Sequence, residues 1–318
     1  MKIPFLCKIF RKATGDTGCV VACFRGNAVT FVRLNNEGDK PKVEKYAVRQ
    51  LANRSSQALA ECAADLSLTG YQFSTLLQSN EYQLLSADAP NVPDEELKTA
   101  IRWSVKDTLG YPAEEAMLDV LKIPTGNTGL TQTKSLYVVA AKNTLIKQKI
   151  SFFENAKLDI NTIDIPEMAQ RNIAALFEKE GRGLAFLAFD ETGGLLTFTG
   201  HGELYLARRI EISAGQLQDA DENLRQQSYD RLELELQRSM DSFDRNFNHL
   251  AVSHLVVALH SDAGLIEKLR ENLYVPVERL DLSTVMDFSA EPDLFSEEAQ
   301  LGAFYALGAA MRQESKAV

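Results

Sequence analysis

Histidine and cysteine are the side chains in this sequence best suited to bind metal or act as nucleophiles, and both are sparse. The four histidines are His201, His249, His254 and His260. On one extended strand, His254 and His260 would lie about 20 Å apart at ~3.3 Å per residue. That separation is too large for a shared metal ion. The spacing therefore predicts no histidine metal site.

The four cysteines are Cys7, Cys19, Cys23 and Cys62. Cys19 and Cys23 would be about 13 Å apart on an extended strand, which is beyond the reach of a disulfide bond. No other pair has a spacing that favours a bridge. The cysteines are thus expected to be reduced and to pack as small apolar side chains.

Three familiar catalytic signatures are absent from the sequence. It has no Gly-x4-Gly-Lys-Ser/Thr nucleotide loop, no His-Glu-x-x-His metal motif and no Gly-x-Ser-x-Gly nucleophile motif. These absences predict that the chain is not an enzyme of those three classes.

The composition is that of a globular protein with an acidic surface. Of 318 residues, 45% are apolar and 25% are charged, and 44 acidic against 34 basic residues give a net charge of −10. This balance disfavours an extended nucleic-acid interface, which requires a basic face. The apolar runs, such as 255–259, are far shorter than the ~20 residues of a membrane span.

The first 14 residues form a separate, basic segment. Lys2, Lys8, Arg11 and Lys12 are interleaved with apolar residues, without the apolar core or cleavage site of a secretory signal. As a helix, this segment would contact an anionic membrane surface transiently. A solvated tail is the alternative.

The hydrophobic pattern predicts two lobes that begin alike. Lobe one covers 15–180 and opens with two strands within 18–34 around an Arg25-Gly26-Asn27 turn and a third at 43–48. A helix at 55–66 capped by serine and strands at 73–77 and 82–85 follow. Lobe two covers 181–318, after Gly181-Arg-Gly183, and repeats three strands at 184–189, 195–199 and 203–210. A highly charged helical region at 216–247 follows, with an apolar stripe of Leu232, Leu236, Met240, Phe243 and Phe247.

An insert of one helix and two strands (αββ) is predicted at about 88–142 in lobe one. Asp94 would cap a helix that runs through Trp103 to Gly110, and strands at 116–123 and 135–140 would follow. Trp103 is expected to be a core residue. The alternative is an exposed anchor for a partner.

Several dispersed motifs carry a family resemblance. They are Pro93-Asp-Glu-Glu-Leu97, Ala100-Ile-Arg-Trp103, Tyr111-Pro-Ala-Glu-Glu115, Val138-Val-Ala-Ala-Lys142, Ile163-Asp-Ile-Pro-Glu-Met-Ala169, Glu235-Leu-Gln-Arg-Ser-Met-Asp-Ser-Phe243 and Gly302-Ala-Phe-Tyr-Ala-Leu-Gly-Ala-Ala310. In order and spacing they resemble the PilM-like family of type IV pilus assembly, and its mannose-sensitive haemagglutinin (MSHA) branch most. The resemblance implies an actin-like, ribonuclease H-like two-lobed α/β fold.

The resemblance also implies a nucleotide site formed by three turns, which the sequence keeps only in part. Its candidate residues are Gly26, Asp190, Gly193, Gly194 and Gly264. Cys23 stands where the family has a magnesium-ordering aspartate, and a thiol is a poor ligand for magnesium. Arg25 replaces a glycine, and Asp262 would repel phosphate. ATP with Mg²⁺ is a possible cofactor, but ATP hydrolysis is not expected.

The function that the resemblance implies is a scaffold on the cytoplasmic side of the inner-membrane pilus platform. It would bind the N-terminal tail of a PilN-like membrane protein in a groove between the main sheet and the insert. The candidate groove residues are Trp103, Tyr111, Tyr137 and Tyr82, and an acidic protein suits a basic tail. The alternatives are an ATP-binding switch, a component of type II secretion and a small-molecule kinase.

Overall fold

The computed structural model describes residues 19–125, 135–190, 192–260 and 264–312. Its strands are β1 (Cys19–Arg25), β2 (Ala28–Asn35), β3 (Lys42–Gln50), β4 (Gln72–Leu76), β5 (Tyr82–Asp88), β6 (Ala116–Lys122), β7 (Ser135–Lys142), β8 (Asp159–Asp164), β9 (Gly183–Phe189), β10 (Gly194–Gly200), β11 (Glu203–Ile210), β12 (Val252–Ala258) and β13 (Val277–Arg279). Its helices are α1 (Ser56–Asp65), α2 (Asp94–Val105), α3 (Asn143–Asn155), α4 (Pro166–Ala174), α5 (Ala214–Leu217), α6 (Glu222–Asn246), α7 (Leu265–Asn272) and α8 (Glu297–Ala310).

Two five-stranded sheets share one topology. The orders are β3-β2-β1-β4-β8 and β11-β10-β9-β12-β13. In each sheet the first three strands in sequence form an antiparallel meander, and the last two join it in parallel. The repeated pattern of three strands that the sequence predicts at the start of each half is confirmed.

Contacts divide the described residues into two units. Unit one contains 19–38, 42–169 and 305–312, and unit two contains 39–41 and 170–304. These units are defined by contacts, so the lobe boundaries at 14–15 and 180–181 stay predictions. The basic segment 1–14 and Cys7 lie outside the described residues.

In unit one, a second and smaller sheet has the order β5-β7-β6. Strand β5 pairs antiparallel with β7 along its whole length, from Tyr82 opposite Ala141 to Asp88 opposite Ser135. The inserted element is therefore β-α-β-β and begins at Tyr82, so the predicted αββ insert starting near residue 88 was one strand too short. Strand character is visible in the sequence, but the choice of partner strand is not.

Helix α2 covers one face of this small sheet and differs from its prediction at both ends. Pro93 occupies the N-cap without a side-chain hydrogen bond, so Asp94 is not the cap. The Asp94 carboxylate instead binds Lys122 Nζ at 2.9 Å. The helix ends at Val105 rather than at Gly110. Leu97, Ile101 and Val105 supply the apolar stripe that packs on the sheet.

Strand β7 is the centre of the small sheet and is buried on both faces. Leu136, Val138 and Ala140 pack under α2. Alternate residues of a strand point to opposite faces, and Val139 and Ala141 accordingly join the core of the larger sheet. The insert is thus fixed to unit one through a shared strand.

Unit two has its own core beneath α6. Four residues of the predicted stripe, Leu232, Leu236, Met240 and Phe243, are buried, and the fifth, Phe247, is partly buried against the same core. The Phe198 and Phe243 rings stack with centroids 4.6 Å apart. The helical region predicted over 216–247 consists of the short helix α5 and the long helix α6. Helix α6 begins after Asp221, whose carboxylate accepts from the backbone N–H of Asn223, and such a cap marks a helix start.

Helix α8 approaches the backbone of α4 at Gly308. A Cβ atom at this position would lie 2.2 Å from the carbonyl oxygen of Ala169, well inside van der Waals contact. Gly302, one and a half turns earlier in the same helix, has no atom within 4 Å of its Cβ direction. The two glycines therefore differ in steric role.

We expect Gly308→Ala to lower the free energy of unfolding by about 1–3 kcal/mol, because the helix must move away from Ala169. The matched control Gly302→Ala should raise it by up to about 1 kcal/mol, since alanine favours the helix and meets no neighbour. Urea unfolding followed by circular dichroism measures both. Equal effects of the two substitutions would contradict the close approach.

Candidate functional site

The first turn that the family resemblance assigns to phosphate is the hairpin between β1 and β2 in unit one. Gly26 and Asn27 form a two-residue connection between the paired residues Arg25 and Ala28. Gly26 has φ +57°, a conformation that glycine adopts most readily. The hairpin itself therefore accounts for the glycine.

Cys23 lies two residues before this turn, opposite Thr30. Burial raises the pKa of the Cys23 thiol to about 11, against the opposing influence of Lys149 and Arg25. The thiol is therefore protonated near neutral pH. A neutral thiol offers magnesium neither charge nor a hard oxygen. The residues of this turn do not fit a magnesium–phosphate site.

The second turn, between β9 and β10 in unit two, keeps its acid. Oδ1 of Asp190 accepts hydrogen bonds from the backbone N–H of Thr192 at 2.7 Å and of Gly193 at 3.0 Å, and from the Thr192 hydroxyl at 2.6 Å. Oδ2 faces Arg209 at 3.7 Å. An aspartate that folds back on its own turn in this way is a common turn-forming device. The carboxylate is thus engaged locally.

The two glycines of this turn have steric roles. A Cβ at Gly193 would lie 2.5 Å from the carbonyl oxygen of Ile210, and a Cβ at Gly194 would lie 3.0 Å from the Phe189 ring. Packing against neighbouring strands accounts for both residues. Their presence does not require a bound phosphate.

Gly264 is the N-cap of α7, with φ +96°. Asp262, in the same predicted loop, lies outside the described residues. The five predicted nucleotide residues therefore belong to three separate turns, Gly26 in unit one and the others in unit two.

The histidines occupy separate environments. His254 is buried in β12, where its Nδ1 contacts the Ser253 hydroxyl at 2.8 Å. His249 packs beside the rings of Tyr205 and Phe247, and His201 is in a turn with φ +53°. Among the described residues, no three His, Cys, Asp or Glu side chains lie close enough to hold a metal ion. Cys19, Cys23 and Cys62 are free thiols.

The four aromatic residues predicted for the partner groove are not gathered on one surface. Tyr82 is buried, and its hydroxyl donates to the Glu167 carboxylate. Tyr137 is also buried, on the face of β7 opposite to α2. Neither side chain is exposed on the surface of the insert, and the groove between the main sheet and the insert stays a prediction.

Tyr111 and Trp103 lie on the α2 side of the insert. The Tyr111 ring lies under Lys142 Nζ, 5.2 Å from the ring centroid, and its half-buried position raises the pKa of its hydroxyl. Trp103 is 64% exposed, so the expected core position was wrong. Its apolar neighbours in α2 face the sheet, whereas Trp103 faces away from it.

A cleft that sequence reasoning missed lies on the main-sheet side of the junction with the insert. It has a volume of about 260 Å³ and is formed by the end of β1, the segment before α1, strand β4, the β4–β5 connection and helix α3. Its lining residues are Phe24, Arg54, Thr75, Gln78, Glu81, Leu145, Gln148, Lys149, Phe152 and Phe153. No local motif marks these residues, because they converge only when the chain leaves the large sheet after β4 and returns to it through α3.

The cleft combines apolar walls with a fixed ion pair. Phe24 and Phe152 meet edge to face with ring centroids 5.8 Å apart. Lys149 Nζ lies 2.9 Å from the Glu81 carboxylate, which also accepts from the backbone N–H of Gln78 at 2.7 Å. Such a surface can hold an apolar side chain and still orient polar groups around it.

Comparison with known proteins finds solved structures with a similar fold. No protein-family model and no curated protein sequence matches the chain. The solved structure of a PilM–PilN type IV pilus biogenesis complex matches with TM-score 0.68 and 17% identity, over 93% of this chain and 98% of that one. A Bacteroides thetaiotaomicron protein with an actin-like ATPase fold and unknown function matches with TM-score 0.50 and 7% identity, over 90% and 99%.

A third structure, the cytoplasmic domain of the Vibrio cholerae type II secretion component EpsL, reaches TM-score 0.49 at 12% identity, over 93% of this chain and 96% of that one. That score is too low to support an argument. The first two likenesses, together with the repeated sheet topology, confirm the predicted actin-like α/β fold. Within the described residues, no helix has the length and apolarity to cross a membrane.

Asp190→Ala is expected to lower the free energy of unfolding by about 1–3 kcal/mol, because three donors lose a charged acceptor. Asp190→Asn should restore most of the loss, since its amide oxygen can accept the same bonds. Thermal unfolding with and without Mg-ATP measures both variants. If Mg-ATP stabilises the unaltered chain but not Asp190→Ala, Asp190 contacts the nucleotide. Its hydrogen bonds within the turn would then not be its whole role.

The raised pKa of Cys23 predicts that its thiol reacts slowly at neutral pH. In a chain with Cys7, Cys19 and Cys62 replaced by serine, about one thiol in 3,000 is ionised at pH 7.5, and the thiolate is the reactive form. Labelling by an aromatic disulfide reagent should therefore be slow when folded, accelerate towards pH 11, and become rapid in urea. Fast labelling of the folded chain at pH 7.5 would contradict the protonated, buried thiol.

Proposed function

We propose that this chain is a scaffold of the inner-membrane platform that assembles a type IV pilus. In this role it lies on the cytoplasmic side of the membrane and binds the N-terminal tail of a PilN-like membrane protein. The sequence motifs favour the MSHA branch, in which the chain would be MshI-like. The nucleotide site would be degenerate, and other platform proteins would be further partners.

The observation that carries this proposal is the likeness to the structure of the PilM–PilN complex. It extends over 93% of this chain and 98% of that one, so it includes the insert as well as both sheets.

The cleft at Phe24, Leu145 and Phe152 is the candidate docking site for the tail. Its apolar side chains can receive one or two apolar residues of an extended peptide. Glu81, although paired with Lys149, keeps a partly exposed carboxylate that can meet a basic residue of the tail. The net charge of −10 further favours association with a basic segment.

The basic segment 1–14 gives the proposed scaffold a second contact with its surroundings. Its four cations are suited to the anionic inner leaflet, at about 1 kcal/mol each before screening. That energy supports transient contact rather than permanent attachment. Anchoring at the membrane would then depend mainly on the bound partner.

The test is a binding titration with a fluorescent peptide that has the sequence of the N-terminal cytoplasmic tail of a PilN-like protein from the same organism. The full chain should bind with a Kd of tens of micromolar or tighter, about −6 to −7 kcal/mol. Gln148→Trp, which fills the cleft from an exposed position on α3, should weaken binding at least about tenfold because the tail loses its apolar pocket.

Ser151→Trp is the matched control, since Ser151 is also exposed and uncharged on α3 but does not line the cleft. It should bind like the unaltered chain. No binding at tens of micromolar would refute the proposed function. Equal weakening by both tryptophans would refute the cleft as the docking site.

A further inference from the structure

Trp103, the sole tryptophan of the chain, is directed away from the core of the insert. It is 64% exposed and forms one wall of a cavity of about 230 Å³ whose other lining residues are Arg102, Lys106, Asp107, Ala113 and Glu114. This cavity shares no residue with the cleft beside α3. An exposed tryptophan beside a concave surface is a typical anchor of a protein–protein contact.

The cations of the insert are mostly engaged by the insert itself. Lys98 binds Asp119 at 2.7 Å, and Lys122 binds Asp94 at 2.9 Å. Arg102 donates to the carbonyl oxygens of Ala113 and Ala116. Internal carboxylates therefore neutralise Lys98 and Lys122, whereas Arg102 is held in place by neutral carbonyl groups and keeps its charge.

The acids that face the cavity are not engaged in this way. The carboxylates of Asp107 and Glu114 form no ion pair or hydrogen bond with another residue of the described ranges. Lys106 is the one lining cation without a hydrogen-bonded partner among those residues, and its Nζ lies 5.9 Å from the centroid of the Trp103 ring. The cavity thus has two carboxylates without an ion-pair partner in the described residues, the cations Lys106 and Arg102, of which Arg102 is tied to backbone carbonyls, and an aromatic face.

We propose that this cavity is a docking site for a segment of a protein partner that carries lysine or arginine. The methylene chain of the cationic residue packs on the Trp103 ring, and its charged end lies between Asp107 and Glu114. Aliphatic stems of lysine and arginine pack on apolar surface while their charged heads stay polar, and the aromatic face adds attraction for the cation. This site is independent of the tail-binding cleft.

The experiment uses the fluorescence of Trp103, which reports only on this site. The full chain is titrated with the synthetic peptide acetyl-Leu-Lys-Leu-Lys-Leu-amide and with its counterpart in which glutamate replaces lysine. The lysine peptide should produce a saturable change in emission that weakens as salt increases. The glutamate peptide should bind at least about tenfold more weakly.

Two double variants and one single variant test the position of the cation. The double variant Asp107→Asn/Glu114→Gln should weaken binding of the lysine peptide about tenfold or more. Glu95→Gln/Glu96→Gln is the matched control, because it removes the same charge from exposed positions of α2 that do not line the cavity. It should leave the affinity within about twofold. Lys106→Gln should strengthen binding, since it removes the competing cation.

Three outcomes would overturn the proposal. They are equal affinity for the two peptides, equal loss in the two double variants, and an emission wavelength that shifts with protein concentration. The second would indicate attraction by net charge alone, and the third would indicate that a second copy of the chain covers Trp103. Urea unfolding of each variant, expected to match the unaltered chain, excludes misfolding as the cause of lost binding.

Discussion

Both faces of strand β7 are buried, and the arrangement of unit one depends on this. Val138 and Ala140 pack beneath α2, whereas Val139 and Ala141 belong to the core of the larger sheet. Because alternate side chains are committed to different cores, a one-residue shift of the strand would place every one of them on the wrong side. Helix α3 begins directly after β7, so the register of one strand also sets the position of the cleft wall.

The hairpins of the two large sheets are explained by contacts within the sheets themselves. In unit two, Asp190 organises its own turn, and neighbouring strands explain Gly193 and Gly194. In unit one, a protonated thiol occupies the place of the acid that the resemblance leads one to expect. Each turn has a sufficient local explanation. The residues of each turn are therefore explained by the sheet that they help to form, without a bound ligand.

Most of the secondary structure could be predicted because it follows from local patterns. The serine cap before α1, the three-strand meanders and the apolar stripe of α6 are all visible in short windows of sequence. The partner of β5 could not be predicted this way, because its pairing joins residues about 50 positions apart, from Asp88 with Ser135 to Tyr82 with Ala141. The exposure of Trp103 was missed because the helix buries Leu97, Ile101 and Val105 instead.

The candidate cleft was missed for the same reason. Phe24, Gln78 and Leu145 come from three distant segments and share no motif. The aromatic residues predicted for the groove were chosen by type, and type alone does not distinguish a buried tyrosine such as Tyr82 from an exposed side chain. Sequence patterns therefore located the insert and the class of fold, whereas the surfaces it presents required the tertiary structure.

Arg102 lowers the entropic cost of binding a partner at α2. Its guanidinium group is bonded to two carbonyl oxygens at the start of β6 and just before it, which ties the end of the helix to the strand. The backbone at the adjacent Trp103 is consequently restrained, so it loses little further conformational entropy when a partner binds. Binding at such a surface sacrifices less conformational entropy than binding at a loop. An interface of small area at this position can therefore still select its partner.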